Sequence, residues 1–162
     1  MGDRGNVVVV ERDHPEQGLT GRVYLYAHWG GWGLPETLQR ALARRQRWGD
    51  GSYLARIIFC EMVRGHEAGE LGFGISATLR DHEYPLLVVD PAGQTVSLEE
   101  EPKWYPGQRD KLGPGPHRWT FDAYCALDLA GRGWCVLCPE TYGPAGEEDA
   151  GHGEADGTEC GR

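Results

Sequence analysis

The segment Tyr24-Leu25-Tyr26-Ala27-His28-Trp29-Gly30-Gly31-Trp32-Gly33 gathers aromatic, imidazole and glycine chemistry within ten residues. Alternate residues of an extended strand face opposite sides, so Tyr24, Tyr26 and His28 share one side while Val23, Leu25 and Ala27 share the other. At the strand end, Gly30 and Gly31 remove side chains where a ligand could approach backbone N–H groups, and Trp29 and Trp32 offer faces for stacking on a planar ring. That combination suits a nucleotide-like or otherwise aromatic ligand. A purely structural reading competes with it: tyrosines packed with satisfied hydroxyls, His28 as a hydrogen-bonded strand terminus, and glycines that only make the turn.

Further candidates surround this segment. Pairing of the first two strands would bring Arg4 beside His28, where a guanidinium is a natural partner for phosphate or carboxylate. On a helix through residues 53–64, Tyr53, Arg56 and Cys60 fall on one face, with Glu61 beside the apolar stripe. Glu61 reads as an ion-pair partner of Arg56 or Arg64, or as a general acid/base if buried. An enzyme built from these parts would use His28, oriented by Glu61 or Glu83.

The remaining motifs carry less. Cys135-Val136-Leu137-Cys138 has metal or redox spacing but no second pair nearby, so no metal site and no cofactor is expected. Asp81-His82-Glu83 and His66-Glu67 read as surface turns, and Gly69 to Gly74 as a strand entry lacking the lysine of a phosphate loop. Ser76 and Ser97 lie in no nucleophile elbow.

The elements that must position these groups follow from periodicity. Asn6 to Glu11 reads as a strand buried on both faces, and Arg22 to His28 as a second strand. Pro35 opens a helix carrying Leu38, Ala41 and Leu42 that should stop near Trp48-Gly49, and Ser52 is placed to cap a second helix, Tyr53 to Arg64, ended by Gly65. Phe73 to Leu79 reads as a strand. Pro85 to Asp90 and Thr95 to Glu99 form a hairpin around Asp90-Pro91-Ala92-Gly93. Residues 102–117 read as a loop, Trp119 to Leu129 as a short helix and Gly133 to Leu137 as a short strand. The expected fold is α+β, a mainly antiparallel sheet of about five strands with two to three helices in the order β-β-α-α-β-β-β-α.

A chain of 162 residues with 40% apolar content suits one domain, assigned to residues 1–137. The net charge of −9 is uneven, because seven acids and one arginine fall from Cys138 onward, which leaves the body at −3. Residues 138–162 therefore read as a flexible acidic tail. No extended nucleic-acid surface is expected from such a body: its densest basic run, Arg40, Arg44, Arg45 and Arg47, reads as a solvated helix face. No apolar run approaches a membrane span, and Asn6 stands where a myristoylation motif needs Ser or Thr. Five scattered cysteines fit a reducing cytoplasm.

Met1-Gly2-Asp3-Arg4, Tyr24 to Gly31 with Leu34-Pro35, and Tyr53-Leu54-Ala55-Arg56-Ile57-Ile58-Phe59 together resemble a family of small, functionally uncharacterised bacterial and bacteriophage proteins sharing this opening and this HWGG strand end. The resemblance runs through Gly74-Ile75-Ser76 and Glu83-Tyr84-Pro85 to Val89-Asp90, covering about the first 100 residues. Gly5 and Phe73 depart from it, standing where a small apolar residue and a tyrosine are expected. It implies no established activity. With the aromatic cluster, it suggests a ligand-binding protein, a phage counter-defence sponge for a cyclic-nucleotide or ADP-ribose-type immune signal, with Arg4, Tyr24, Tyr26, His28, Trp29, Gly30, Gly31, Trp32 and Arg56 as ligand contacts. The alternatives are a hydrolase of such a nucleotide and a protein-interaction module that docks or self-associates through Trp29 and Trp32.

Overall fold

Four consecutive valines, Val7 to Val10, are almost wholly buried on both sides because their strand lies inside the sheet. In this computed structural model, which describes residues 3–14, 16, 18–69, 72–100, 112 and 117–143, that strand is β1, Gly5–His14. It pairs antiparallel with β2, Leu19–Ala27, and parallel with β4, Leu86–Asp90. β3 is Phe73–Ser76, β5 is Thr95–Glu99 and β6 is Arg118–Thr120, giving one six-stranded sheet in the order β3-β2-β1-β4-β5-β6. Every pairing except β1 with β4 is antiparallel. The expected α+β class holds, and the sheet is mixed.

One side of this sheet carries the helices. α1, Leu34–Ala43, buries Leu34, Leu38, Ala41 and Leu42, and α2, Gly51–Met62, buries Leu54, Ile57, Ile58 and Met62 against Val7, Val9, Leu25 and Ala27. Helical spacing of these apolar residues gives each helix one stripe to bury. The opposite side holds a smaller apolar cluster of Val8, Val10, Leu86 and Val88, flanked by Tyr24 and Leu79.

Several elements differ from the sequence expectation. α1 stops at Ala43, and the Trp48 indole N–H donates to Leu42 O at 3.0 Å, closing the last turn before Arg45 and Arg47 take positive φ. The cap of α2 is Asp50, whose carboxylate accepts the Tyr53 N–H, while Ser52 donates instead to Glu11. β3 ends at Ser76, short of Leu79. Trp119 lies in β6, and Thr120 then caps the short helix α3, Phe121–Cys125, through the Ala123 N–H.

Gly133–Leu137, expected as a strand, is helix α4, and it is followed by α5, Pro139–Tyr142. A short apolar run fits either state by periodicity, and here Trp134, Leu137 and Cys138 bury together on one helical face. The five helices among the described residues thus exceed the two to three expected. Packing continues beyond Leu137: Cys138 is fully buried and Tyr142 lies against Trp32, Tyr84 and Trp134. The expected loop at 102–117 falls largely outside the described residues, as does the tail from residue 144. Among the described residues, no helix is long and apolar enough to cross a membrane.

Candidate functional site

Strand alternation in β2 sends Leu25 and Ala27 into the helix-covered core and leaves Tyr24, Tyr26 and His28 toward the opposite side. Tyr26 sits between Asn6 of β1 and Gly74 of β3 in the sheet register. Its hydroxyl lies 2.9 Å from His28 Nδ1. The Trp29 indole stands edge-on to the imidazole at 4.9 Å and is 53% exposed, a large apolar surface left facing solvent.

Three segments distant in sequence converge on this pair. The Gly5–Ala27 register brings Arg4 alongside the end of β2, and its guanidinium is ion-paired with Asp81. Asn6 Nδ2 donates to Arg80 O at 3.1 Å, and Glu83 N–H donates to Arg4 O at 2.9 Å, which ties residues 80–83 to the start of β1. Tyr26, Gly74, Ile75, Ser76, Arg80 and Asp81 line a cavity of about 390 Å³. A side chain at Gly74 would meet nothing within 4 Å, so its absence keeps the cavity floor open.

Electrostatics keep the Tyr26 hydroxyl protonated at neutral pH. Burial pushes its pKa up; Arg4 and Arg80 pull it down, and Asp81 and Glu83 oppose them. The Arg80 guanidinium has no ion-pair partner among the described residues. Arg4 Nε, just before β1, and Asn6 Oδ1, within it, are buried without hydrogen-bond partners among the described residues. A donor and an acceptor left so are costly unless something polar reaches them.

The glycines and the second tryptophan serve the fold. Gly31 N–H donates to Asp3 O at 2.8 Å, and a Cβ on Gly31 would stand 2.8 Å from the Arg4 carbonyl carbon. Gly31 O accepts both Leu34 N–H and the buried Trp134 indole N–H. Its backbone is therefore committed to the protein. Trp32 N–H donates to Asp3 Oδ1, and its ring packs edge-on against Tyr84 and Tyr142. Tyr84 stacks on Trp134 at 5.2 Å, and its phenol is pushed strongly up by burial, then by its bond to Asp3. Gly30 has φ +93, a conformation that favours glycine, and its carbonyl accepts Gly33 N–H.

No protein-family model, curated protein or solved structure matches the chain. The chemistry of the site therefore rests on its own residues.

Glu61 and Arg56 lie elsewhere. The Glu61 side chain is 4% exposed on the helix-covered side, and it accepts from Arg40 Nε at 3.1 Å, Arg44 Nη2 at 2.5 Å and Arg64 Nη2 at 2.7 Å. Burial alone would raise its pKa, but Arg40, Arg64 and Arg44 together hold it below the ordinary carboxylate value. A carboxylate kept ionised in this way is no general acid at neutral pH, and it stands apart from His28. Arg56, rather than pairing with Glu61, extends over the Tyr53 ring at 5.9 Å with Arg47 over the same ring at 4.6 Å. Tyr53 and Cys60 are exposed on that outer surface of α2.

Sequence reasoning missed Arg80, Asp81 and Asn6 as neighbours of Tyr26. An asparagine opening a run of four valines was the one signal, since only a buried polar partner suits amide chemistry there. Residues 77–85 lack any periodicity that would point them at the site. Cys138 is a free buried thiol that donates to Thr141 Oγ1, and no group of three or more His, Cys, Asp or Glu is placed to hold a metal among the described residues.

Proposed function

We propose that this protein binds a small nucleotide-like ligand at the end of β2. The observation that carries the proposal is the hydrogen-bonded Tyr26–His28 pair beside a cavity of about 390 Å³ whose lining includes Arg80, a guanidinium with no ion-pair partner among the described residues. Cavities of this size suit small molecules, with a few convergent polar groups to orient them. Arg80 meets a phosphate or other anion, Tyr26 and Ser76 supply hydroxyls, and the exposed Trp29 stacks on a planar ring at the rim. Gly31, Trp32 and Arg56 are left out of this reading because their groups are engaged in the fold or on another surface.

In its sharper form the proposal is a sponge that sequesters a cyclic-nucleotide or ADP-ribose-type immune signal, in keeping with the bacteriophage-like sequence features. Sequestration needs no nucleophile. Titration calorimetry with 3′,5′-cyclic AMP, cyclic di-AMP and ADP-ribose tests it, followed by heating the complex and analysing the released compound. Binding with intact release supports a sponge; release of a cleaved compound supports the hydrolase reading, and silence across the panel overturns the proposal.

A further inference from the structure

A second cavity, of mixed polar and apolar lining, lies on the helix-covered side of the sheet, between α1, the end of α2 and β3. It measures about 420 Å³, and its lining includes Gly30, Thr37, Arg40, Glu61, Arg64 and His66. Arg40 and Arg64 of the lining, with Arg44 behind them, converge on one buried carboxylate, two positive charges more than Glu61 neutralises; the exposed Glu67 beside Arg64 and His66 offsets part of that excess. Neutralising Glu61 requires one guanidinium. Gathering two more sets like charges close together, an arrangement that favours an additional anion.

The donors needed for such an anion remain available. A guanidinium carries five N–H donors in a planar fork. Arg64 uses Nη2 on Glu61, and Arg40 uses Nε on Glu61 and Nη2 on Thr37 Oγ1. The side chains of Arg40 and Arg64 are 55% and 63% exposed, whereas Glu61 beneath them is 4% exposed. The carboxylate thus holds the guanidiniums from below, while their outer edges stay open to the cavity. Gly30, with nothing within 4 Å of its Cβ position, leaves space on the facing wall.

We propose that this cleft is an anion site for a phosphate-bearing small molecule, held by Arg40 and Arg64 with Thr37 and His66 beside them. Paired planar forks match the oxygens of a phosphoryl group better than a single point charge does. The site is separate from the Tyr26 cavity and independent of what binds there.

An NMR titration of ¹⁵N-labelled protein with inorganic pyrophosphate, against a sodium chloride blank of equal ionic strength, tests the assignment. Saturable shifts are expected at the amides of Thr37, Arg40, Arg64 and His66. Arg40→Gln and Arg64→Gln should each weaken binding at least tenfold, while Arg80→Gln in the other cavity changes it less than twofold. Both arginines are more than half exposed, and thermal unfolding of each variant confirms the fold; either variant alone suffices. Shifts that never saturate, that follow ionic strength alone, that map to Tyr26 and Arg80 with none at Thr37, Arg40, Arg64 or His66, or that survive both substitutions at the cleft overturn the proposal. A failure here leaves the Tyr26 reading standing, because that reading predicts shifts at Tyr26, Gly74 and Arg80.

Discussion

The Tyr26 hydroxyl is hydrogen-bonded to His28 Nδ1 at 2.9 Å, which ties the imidazole just past the end of β2 to a residue that lines the cavity. Tyr26→Phe removes the bond while keeping the ring. A net hydrogen bond contributes about 1 kcal/mol, so affinity for whichever panel compound binds should fall several-fold to tenfold in calorimetry. The thermal midpoint should change little, since the hydroxyl is only partly buried.

Arg80→Ala tests the same cavity from its other rim. With no ion pair to break among the described residues, the substitution should leave stability within about 0.5 kcal/mol, as ordinary surface changes do. Loss of a charge-assisted hydrogen bond to a bound anion, about 1.5–3 kcal/mol, should weaken binding by more than tenfold. Unchanged affinity would remove Arg80 from the site.

Gly31→Ala should destabilise the fold whether or not a ligand is present. The new methyl would meet Arg4 backbone carbon at 2.8 Å and Asp3 and Arg4 carbonyl oxygens at 3.0 Å, and backbone cannot step aside as a flexible side chain can. Overpacking of this kind costs about 1–3 kcal/mol. Urea unfolding should show the midpoint falling with an unchanged m-value.

The Glu61 cluster makes stability depend on acid pH. Its folded pKa lies below the ordinary value of 4.5, so the unfolded chain takes up the proton first as pH falls. The contribution is therefore complete above about pH 5 and is lost as pH falls through the folded value. Glu61→Gln should lower stability at pH 7 by about 2 kcal/mol, less than the ~3–5 kcal/mol of breaking a fully buried pair because the arginines stay partly hydrated. The gap between variant and wild type should close in urea titrations as pH is taken well below 4.5.

Gln39 ties α1 to the end of α3. Its amide N–H₂ lies 3.1, 3.3 and 2.7 Å from the carbonyl oxygens of Tyr124, Cys125 and Leu127, at the end of α3 and just beyond it, where Tyr124 O also accepts the Leu127 N–H. Gln39→Met keeps the length and removes the donors. A loss of about 1–3 kcal/mol is expected by thermal or urea unfolding, with α3 and β6 amides exchanging hydrogen faster.

Local pattern determined much of this protein. Alternation from Val23 to His28 divides β2 between core and opposite face without reference to the rest of the chain, and the burial of Val7 to Val10 on both sides follows from an unbroken β-branched run. The Asp90–Thr95 turn is similarly local: Asp90 Oδ1 accepts the N–H groups of Ala92 and Gly93, two and three residues on.

Tertiary structure decided what the chemical groups do. Gly31 looks equally fit for a ligand or a turn until the Asp3–Arg4 backbone is laid against it. Arg40 and Arg44 read as solvated charges until helix packing places Glu61 beneath them, whereas Arg64, three residues on from Glu61, is within its reach by helical spacing alone. Residues 133–137 are a short apolar run that fits a strand as well as a helix, and they become helical where Trp134, Leu137 and Cys138 bury together on one face. Arg4 and Asp81 are 77 residues apart and meet only because β1 lies between β2 and β4. Periodicity reports which side of an element is apolar; it carries no information about which distant polar groups the packed elements bring together.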